Sequence, residues 1–125
     1  MTSVLIVDDD ATLAQSIGAH LTQQGFDVDV VNSTFAALDR LDQRKFTVVI
    51  ADIAMPRGMP NGVSLLRMAR IRDSACHVML ITGYADLARD GELFGARVFA
   101  KPIDLDALTA EIKKGIAASE SRRTD

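Results

Sequence analysis

The sequence holds one cysteine, Cys76, among 125 residues. No internal disulfide framework is possible, and such usage fits a reducing compartment. No stretch approaches the roughly 18 consecutive apolar residues that a membrane-spanning helix needs. The N-terminus is apolar only over Val4-Leu5-Ile6-Val7 before Asp8-Asp9-Asp10. It lacks the basic start and long apolar core of a signal peptide. Positive charge is also short: 14 Lys+Arg stand against 17 Asp+Glu, a formal net charge of -3. The one basic cluster, Arg122-Arg123, lies in a polar tail. Without a basic stripe the chain is a poor candidate for binding DNA or RNA. These absences predict a cytoplasmic protein that engages neither membrane nor nucleic acid.

What is present is an ordinary globular composition, 48% hydrophobic and 25% charged. That apolar content excludes global disorder. The length predicts one domain, covering residues 1–118 with a polar, frayed tail over 119–125. A chain of this size buries about two thirds of its extended surface on folding, enough for a core without disulfide or metal staples.

Apolar runs alternate with helical patterns. Strands are predicted over Val4–Val7, Asp27–Val31, Phe46–Ala51, Val78–Thr82 and Arg97–Ala100. Between and after them, helices are predicted over Asp10–Gln24, Thr34–Leu41, Val63–Ile71, Ala85–Phe94 and Asp104–Ala118. Leu13, Ile17 and Leu21 mark the buried face of the first helix. Leu105, Leu108, Ile112 and Ile116 mark that of the last. Met55–Gly62 holds two prolines and two glycines and is predicted as a loop. Uniformly apolar strands alternating with helices imply a doubly wound α/β fold, with a five-stranded parallel sheet and helices on both faces. Crossovers are then right-handed, and the functional crevice lies beyond the carboxyl ends of the strands.

The residues at those strand ends carry the chemistry. Asp8, Asp9 and Asp10 follow the first strand and Asp52 the third; the fourth ends in Thr82, and Lys101 follows the fifth. In the order 2-1-3-4-5 the first and third strands are neighbours, so Asp8, Asp9 and Asp52 converge while Thr82 and Lys101 flank them. Clustered carboxylates repel unless a cation or a proton intervenes. An all-oxygen donor set suits Mg2+. A metal so held invites phosphate chemistry, and a carboxylate can itself accept a phosphoryl group. The lysine ammonium and threonine hydroxyl would hold the remaining phosphoryl oxygens.

In order and spacing, Val7-Asp8-Asp9-Asp10, Asp52-Ile53-Ala54-Met55-Pro56, Ile81-Thr82-Gly83 and Lys101-Pro102-Ile103 closely resemble the receiver domain of two-component response regulators. Each motif alone is weak; the ordered set, spanning about Ser3 to Ala118, is specific. The resemblance implies a flavodoxin-like fold with five helices and a set of roles. Asp52 corresponds to the phosphoacceptor. Asp8 and Asp9 match the acidic pair, and with Asp52 and the Ala54 backbone carbonyl they match the Mg2+ ligands. Thr82 and Lys101 correspond to the switch hydroxyl and the phosphoryl-binding lysine. Ala54, Gly83 and Tyr84 occupy positions that tune phosphoryl lifetime and donor access. The bond before Pro102 is expected to be cis. The implied donor is a sensor histidine kinase or a histidine phosphotransfer protein. The implied output is a downstream protein bound on the face of the fourth helix, fifth strand and fifth helix, which is also a homodimer surface in such domains.

Two positions depart from that pattern. The site three before the lysine, usually Tyr or Phe, is Val98, and Phe99 should point to the opposite face of the strand. The loop after Pro56, Arg57 to Gly62, is about two residues longer than the common pattern and resembles that of receivers attached to hybrid sensor kinases and of some free-standing ones. The expected function is thus a stand-alone phosphorylatable receiver, with autophosphorylation and autodephosphorylation as its only chemistry. Two alternatives are a binding module that works without phosphorylation and a receiver segment of a hybrid histidine kinase. A phosphatase is disfavoured, because no cap domain or long substrate loop is encoded. The remaining singular residues take plainer readings: Asp10 as a helix cap, His20 and His77 as surface or satisfied histidines, and Cys76 as a small buried residue. Met55, Met59, Met68 and Met79 read as loop and core packing.

Overall fold

A computed structural model describes residues 2–54, 61–84 and 95–124, with side chains to residue 118. The strands are β1 (Ser3–Val7), β2 (Asp27–Val31), β3 (Val48–Asp52), β4 (His77–Thr82) and β5 (Arg97–Ala100). The helices are α1 (Ala11–Gln23), α2 (Thr34–Gln43), α3 (Gly62–Arg72) and, in chain order among the described residues, α4 (Leu105–Thr124). The loop 55–60 and the helix expected over 85–94 lie outside the described residues.

All pairings are parallel, and the sheet order is β2-β1-β3-β4-β5, the order expected for the resembling fold. The two apolar faces of the central strands separate by the two-residue period. Val4, Ile6, Val48, Ile50, Met79 and Ile81 meet α1 and α4 through Ile17, Leu21, Leu108 and Ile112. Leu5, Val7, Val49, Ala51 and Leu80 meet α2 and α3 through Ala37, Leu65, Leu66 and Ala69. Val98 packs with this second layer and Phe99 with the first, so the two face opposite ways as expected.

Helix starts follow their caps. Asp10 Oδ1 accepts from Leu13 N at 3.1 Å, Ser33 Oγ from Ala36 N at 3.1 Å and Asn61 Oδ1 from Ser64 N at 3.0 Å. Asp10 is therefore the α1 cap. Gly25, at φ 95, supplies the left-handed turn that ends α1. The sequence-based ends shift by two residues or more in three places. β3 begins two residues late and takes in Asp52, which pairs with Ile81. α2 runs on to Gln43. The last helix continues through residues 119–124, which were expected to fray. That segment holds neither proline nor glycine, and its Ser, Glu and Arg residues are compatible with helix, so nothing local stops the helix at Ala118.

Candidate functional site

Register brings the strand ends together. Val7 pairs with Ala51 and Asp52 with Ile81, so Asp8 follows β1 beside the end of β3. Thr82 pairs with Ala100, which places Lys101 one residue beyond the same edge. Carboxylate oxygens of Asp8, Asp9 and Asp52 lie within 4.8 Å of one another. Asp8 is fully buried, Asp52 is buried at 4% exposure, and Asp9 is exposed. The cluster therefore has a buried floor and one solvent-facing oxygen donor.

The two buried carboxylates are aimed by the backbone. Asp8 N donates to Val31 O of β2 at 3.2 Å, and Asp8 Oδ1 accepts from Asp10 N at 2.9 Å. Asp52 Oδ1 accepts from Ala54 N at 3.0 Å. The remaining oxygens face Lys101, whose Nζ donates to Asp52 Oδ2 at 2.9 Å and lies 3.1 Å from Asp8 Oδ2. The contact to Asp8 is an ion pair without hydrogen-bonding angles, so Asp8 Oδ2 is buried with no hydrogen-bond partner. That oxygen is already turned toward a cation, the Lys101 ammonium. With three convergent carboxylates around it, the set fits Mg2+ by donor chemistry.

Burial is the main reason the Asp8 carboxyl sits above the usual carboxylate range; the nearby Asp52 charge pushes the same way, against the Asp10 N–H and Lys101. For Lys101 burial is also the largest single influence and pulls its pKa down. The combined pull of Asp52 and Asp8 outweighs it, leaving the ammonium more firmly protonated than usual.

Thr82, buried at the end of β4, accepts from Tyr84 N at 3.0 Å and donates to Tyr84 O at 3.3 Å. Its hydroxyl is thus held by its own turn. Lys101 N donates to Thr82 O at 2.8 Å and ties the two strand ends. The Lys101-Pro102 bond is cis, as expected. Asp9, Asp52, Ala54, Gly83, Tyr84 and Lys101 line an open cleft of about 400 Å³. A methyl group at Gly83 would meet only the Lys101 stem at 3.9 Å, so the cleft is roomy there.

The structure also brings in residues that strand-end reasoning left out. Ile53 N donates to Ile81 O at 2.9 Å, and Gly62 N donates to Ile53 O at 3.2 Å. The turn after Asp52 is clamped between β4 and the start of α3. The signal for this was Asn61, a helix-capping residue that closes the loop. The plainer readings of Cys76 and Met79 as buried core residues hold, and Met68 is half-buried. Met55 and Met59 lie outside the described residues, as do the side chains of Arg122 and Arg123.

A family model described as the response regulator receiver domain matches residues 4–113. Transcriptional regulatory protein FixJ of Bradyrhizobium diazoefficiens is 33% identical over 120 residues, which are 94% of this chain and 58% of FixJ. Response regulator receiver protein CpdR of Brucella abortus is 30% identical over 122 residues, 95% of this chain and 100% of CpdR. This chain therefore spans little more than half of one relative and the whole of the other. Among solved structures, response regulator protein TrrA from Thermotoga maritima in complex with Mg(2+)-BeF superposes with a TM-score of 0.82 at 25% identity. The match covers 92% of this chain and 99% of TrrA.

Proposed function

The chain belongs to the response regulator receiver domain family, and from that premise we propose that it is a phosphoryl-accepting switch with Asp52 as the acceptor. The observation that carries this reading is the cluster of Asp8, Asp9 and Asp52 within 4.8 Å, with Lys101 Nζ 2.9 Å from Asp52 Oδ2. Asp8, Asp9, Asp52 and the Ala54 backbone carbonyl would hold Mg2+, which when bound supplies positive charge against the phosphoryl oxygens. The Mg(2+)-BeF complex of TrrA supports this choice of metal.

The donor is a phosphohistidine on a sensor histidine kinase or a histidine phosphotransfer protein. An Asp52 carboxylate oxygen forms the new P–O bond while the P–N bond breaks, and the imidazole keeps the electron pair. Lys101 then follows the charge from the carboxylate to the phosphoryl oxygens. Water later attacks phosphorus, releases inorganic phosphate and restores the carboxylate. No other substrate is turned over. Ala54, Gly83 and Tyr84, which line the cleft beside Asp52, govern how readily donor and water reach it.

Switching begins at Thr82. Its hydroxyl must leave Tyr84 to bond the phosphoryl group, which frees the turn after β4 and, through the Lys101 N–Thr82 O bond, loads the end of β5. The surface so altered includes β5 and α4; the fourth predicted helix, expected to complete it, lies outside the described residues. It would bind a downstream protein or a second copy of the chain. The protein acts inside the cytoplasm, where its donor is made, and no described helix is long and apolar enough to cross a membrane.

The test is the intact mass after incubation with Mg2+ and acetyl phosphate. The chain should gain one phosphoryl group and Asp52→Asn none; no gain from either acetyl phosphate or a histidine-phosphorylated protein refutes the reading. One observation favours a second reading. Val98, packed into the α2–α3 layer, leaves no aromatic ring at its position to relay a threonine shift. A binding module independent of phosphorylation would keep its partner affinity in Asp52→Asn.

A further inference from the structure

The first residue of α3 touches the strand that carries the acceptor. A Cβ placed on Gly62 would collide with the Asp52 carbonyl oxygen and stand 2.8 Å from the Asp52 carbonyl carbon and 3.0 Å from Ile53 Cα. Real Cβ atoms essentially never come within 3.0 Å of another heavy atom, and backbone cannot swing aside as a long side chain can. The demand is for space, not for an unusual conformation: the positive-φ glycines among the described residues are Gly25 and Gly95. Helix α3 therefore lies against β3 with room only for hydrogen at this position.

That close approach holds the turn that follows Asp52 and bonds its carboxylate. Gly62 N reaches Ile53 O at 3.2 Å, Ile53 N reaches Ile81 O at 2.9 Å, and Ala54 N reaches Asp52 Oδ1 at 3.0 Å. Asn61 seats the helix start by accepting from Ser64 N at 3.0 Å. A side chain at 62 must push α3 off β3 or rotate the Asp52–Ile53 peptide. The first breaks the Gly62–Ile53 bond. The second turns the Asp52 side chain and the Ala54 peptide together, and these are an acceptor and a metal-ligand candidate.

We propose that Gly62 is a positioning residue for the phosphoacceptor: the missing side chain lets α3 clamp the Asp52-Ile53-Ala54 turn so that the Asp52 carboxylate and the Ala54 carbonyl converge on one cation. This rests on the reading of Asp52 as acceptor.

A second glycine supplies the control. A Cβ on Gly115 of α4 would collide with the His77 ring at the start of β4, at the amino end of the sheet. Gly62→Ala and Gly115→Ala thus add the same methyl group in a tight place, one against backbone at the site and one against the His77 side chain at the far end of the strands. Each full-length variant would be compared with wild type for melting temperature, for Mg2+ dissociation constant by calorimetry, and for phosphorylation rate with acetyl phosphate by intact mass. Gly62→Ala should lose stability, and Gly115→Ala should lose less, because the His77 ring can turn aside. Gly62→Ala should also bind Mg2+ about tenfold more weakly and be phosphorylated about ten- to a hundredfold more slowly, the loss expected for a reacting group displaced by ~1 Å. Gly115→Ala should keep wild-type values for both. Equal Mg2+ affinity and rate in folded Gly62→Ala would overturn the proposal, as would equal losses in the two variants. If Gly62→Ala does not fold, Asn61→Ala decides, because it loosens the α3 start by removing a single capping hydrogen bond. It should then slow phosphorylation severalfold while the chain remains folded, and a wild-type rate would overturn the proposal. A wild-type chain that takes up no phosphoryl group while still binding Mg2+ would fail the acceptor reading instead, and the Mg2+ affinities would still judge the clamp.

Discussion

Lys101→Met in the metal-free chain removes the one cation described between two buried carboxylates while keeping most of the aliphatic stem. The ammonium lies 2.9 Å from Asp52 Oδ2 and 3.1 Å from Asp8 Oδ2. At an effective dielectric near 20, each attraction is worth about 5 kcal/mol before the cost of drawing the charges out of water. Removing one partner of a fully buried pair costs about 3–5 kcal/mol, because the other charge is left unpaired. The Lys101 side chain is 23% exposed, so water already screens part of the interaction. A loss of about 2–3 kcal/mol at pH 7 follows, or roughly 10 °C in melting temperature for a domain of this size.

Urea unfolding in chelator at pH 7 and pH 5, then with Mg2+, measures it. The folded-state pKa of Lys101 is raised above its ordinary value of 10.5, so its stabilisation is fully present below that value and fades only as pH rises through the higher folded value. The full loss should therefore appear at pH 7. It should shrink as pH falls, because burial already raises the Asp8 carboxyl and its protonation ends the repulsion of Asp52. Mg2+ should restore much of it. An equal loss at both pH values that Mg2+ leaves untouched would refute the electrostatic account and leave only packing of the stem.

Asp8→Asn should act in the other direction. Because the folded state raises the Asp8 pKa above 3.8, its ionised form costs stability at neutral pH, a cost that vanishes as pH falls through the folded value. The variant should melt above wild type at pH 7 in chelator and lose the stabilisation that Mg2+ gives wild type. At the edge of the sheet, Arg44 donates to Ser3 Oγ at 2.6 Å and Asp27 Oδ2 at 2.8 Å and stacks 4.9 Å from the Phe46 ring centroid. Arg44→Met should cost up to about 1 kcal/mol by urea unfolding, and less at high salt. Phe46, 2% exposed beneath α2 and α3, should cost about 3–5 kcal/mol on truncation to alanine, with phosphorylation per folded molecule unchanged.

Composition, period and strand-end chemistry determined a great deal here. Uniformly apolar strands such as Val4–Val7 can only be covered on both faces, which dictates a parallel sheet between helices. The two-residue period of a strand then places Val98 and Phe99 in opposite layers. An acid or a lysine directly after an apolar run must emerge at the carboxyl edge, so Asp8, Asp9, Asp52 and Lys101 were legible as one cluster once the order 2-1-3-4-5 was assumed. Tertiary structure decided what depends on distances between segments far apart in the chain. Which carboxylate oxygen Lys101 takes, and which is left without a hydrogen bond, follows from strand register and burial. That Thr82 spends its hydroxyl on Tyr84 depends on the turn after β4. The demand for hydrogen alone at Gly62 arises because α3 lands on the Asp52 carbonyl, ten residues back along the chain. Local sequence encodes φ, ψ and hydrophobic period, whereas the space left beside a residue is set by whatever the fold packs against it.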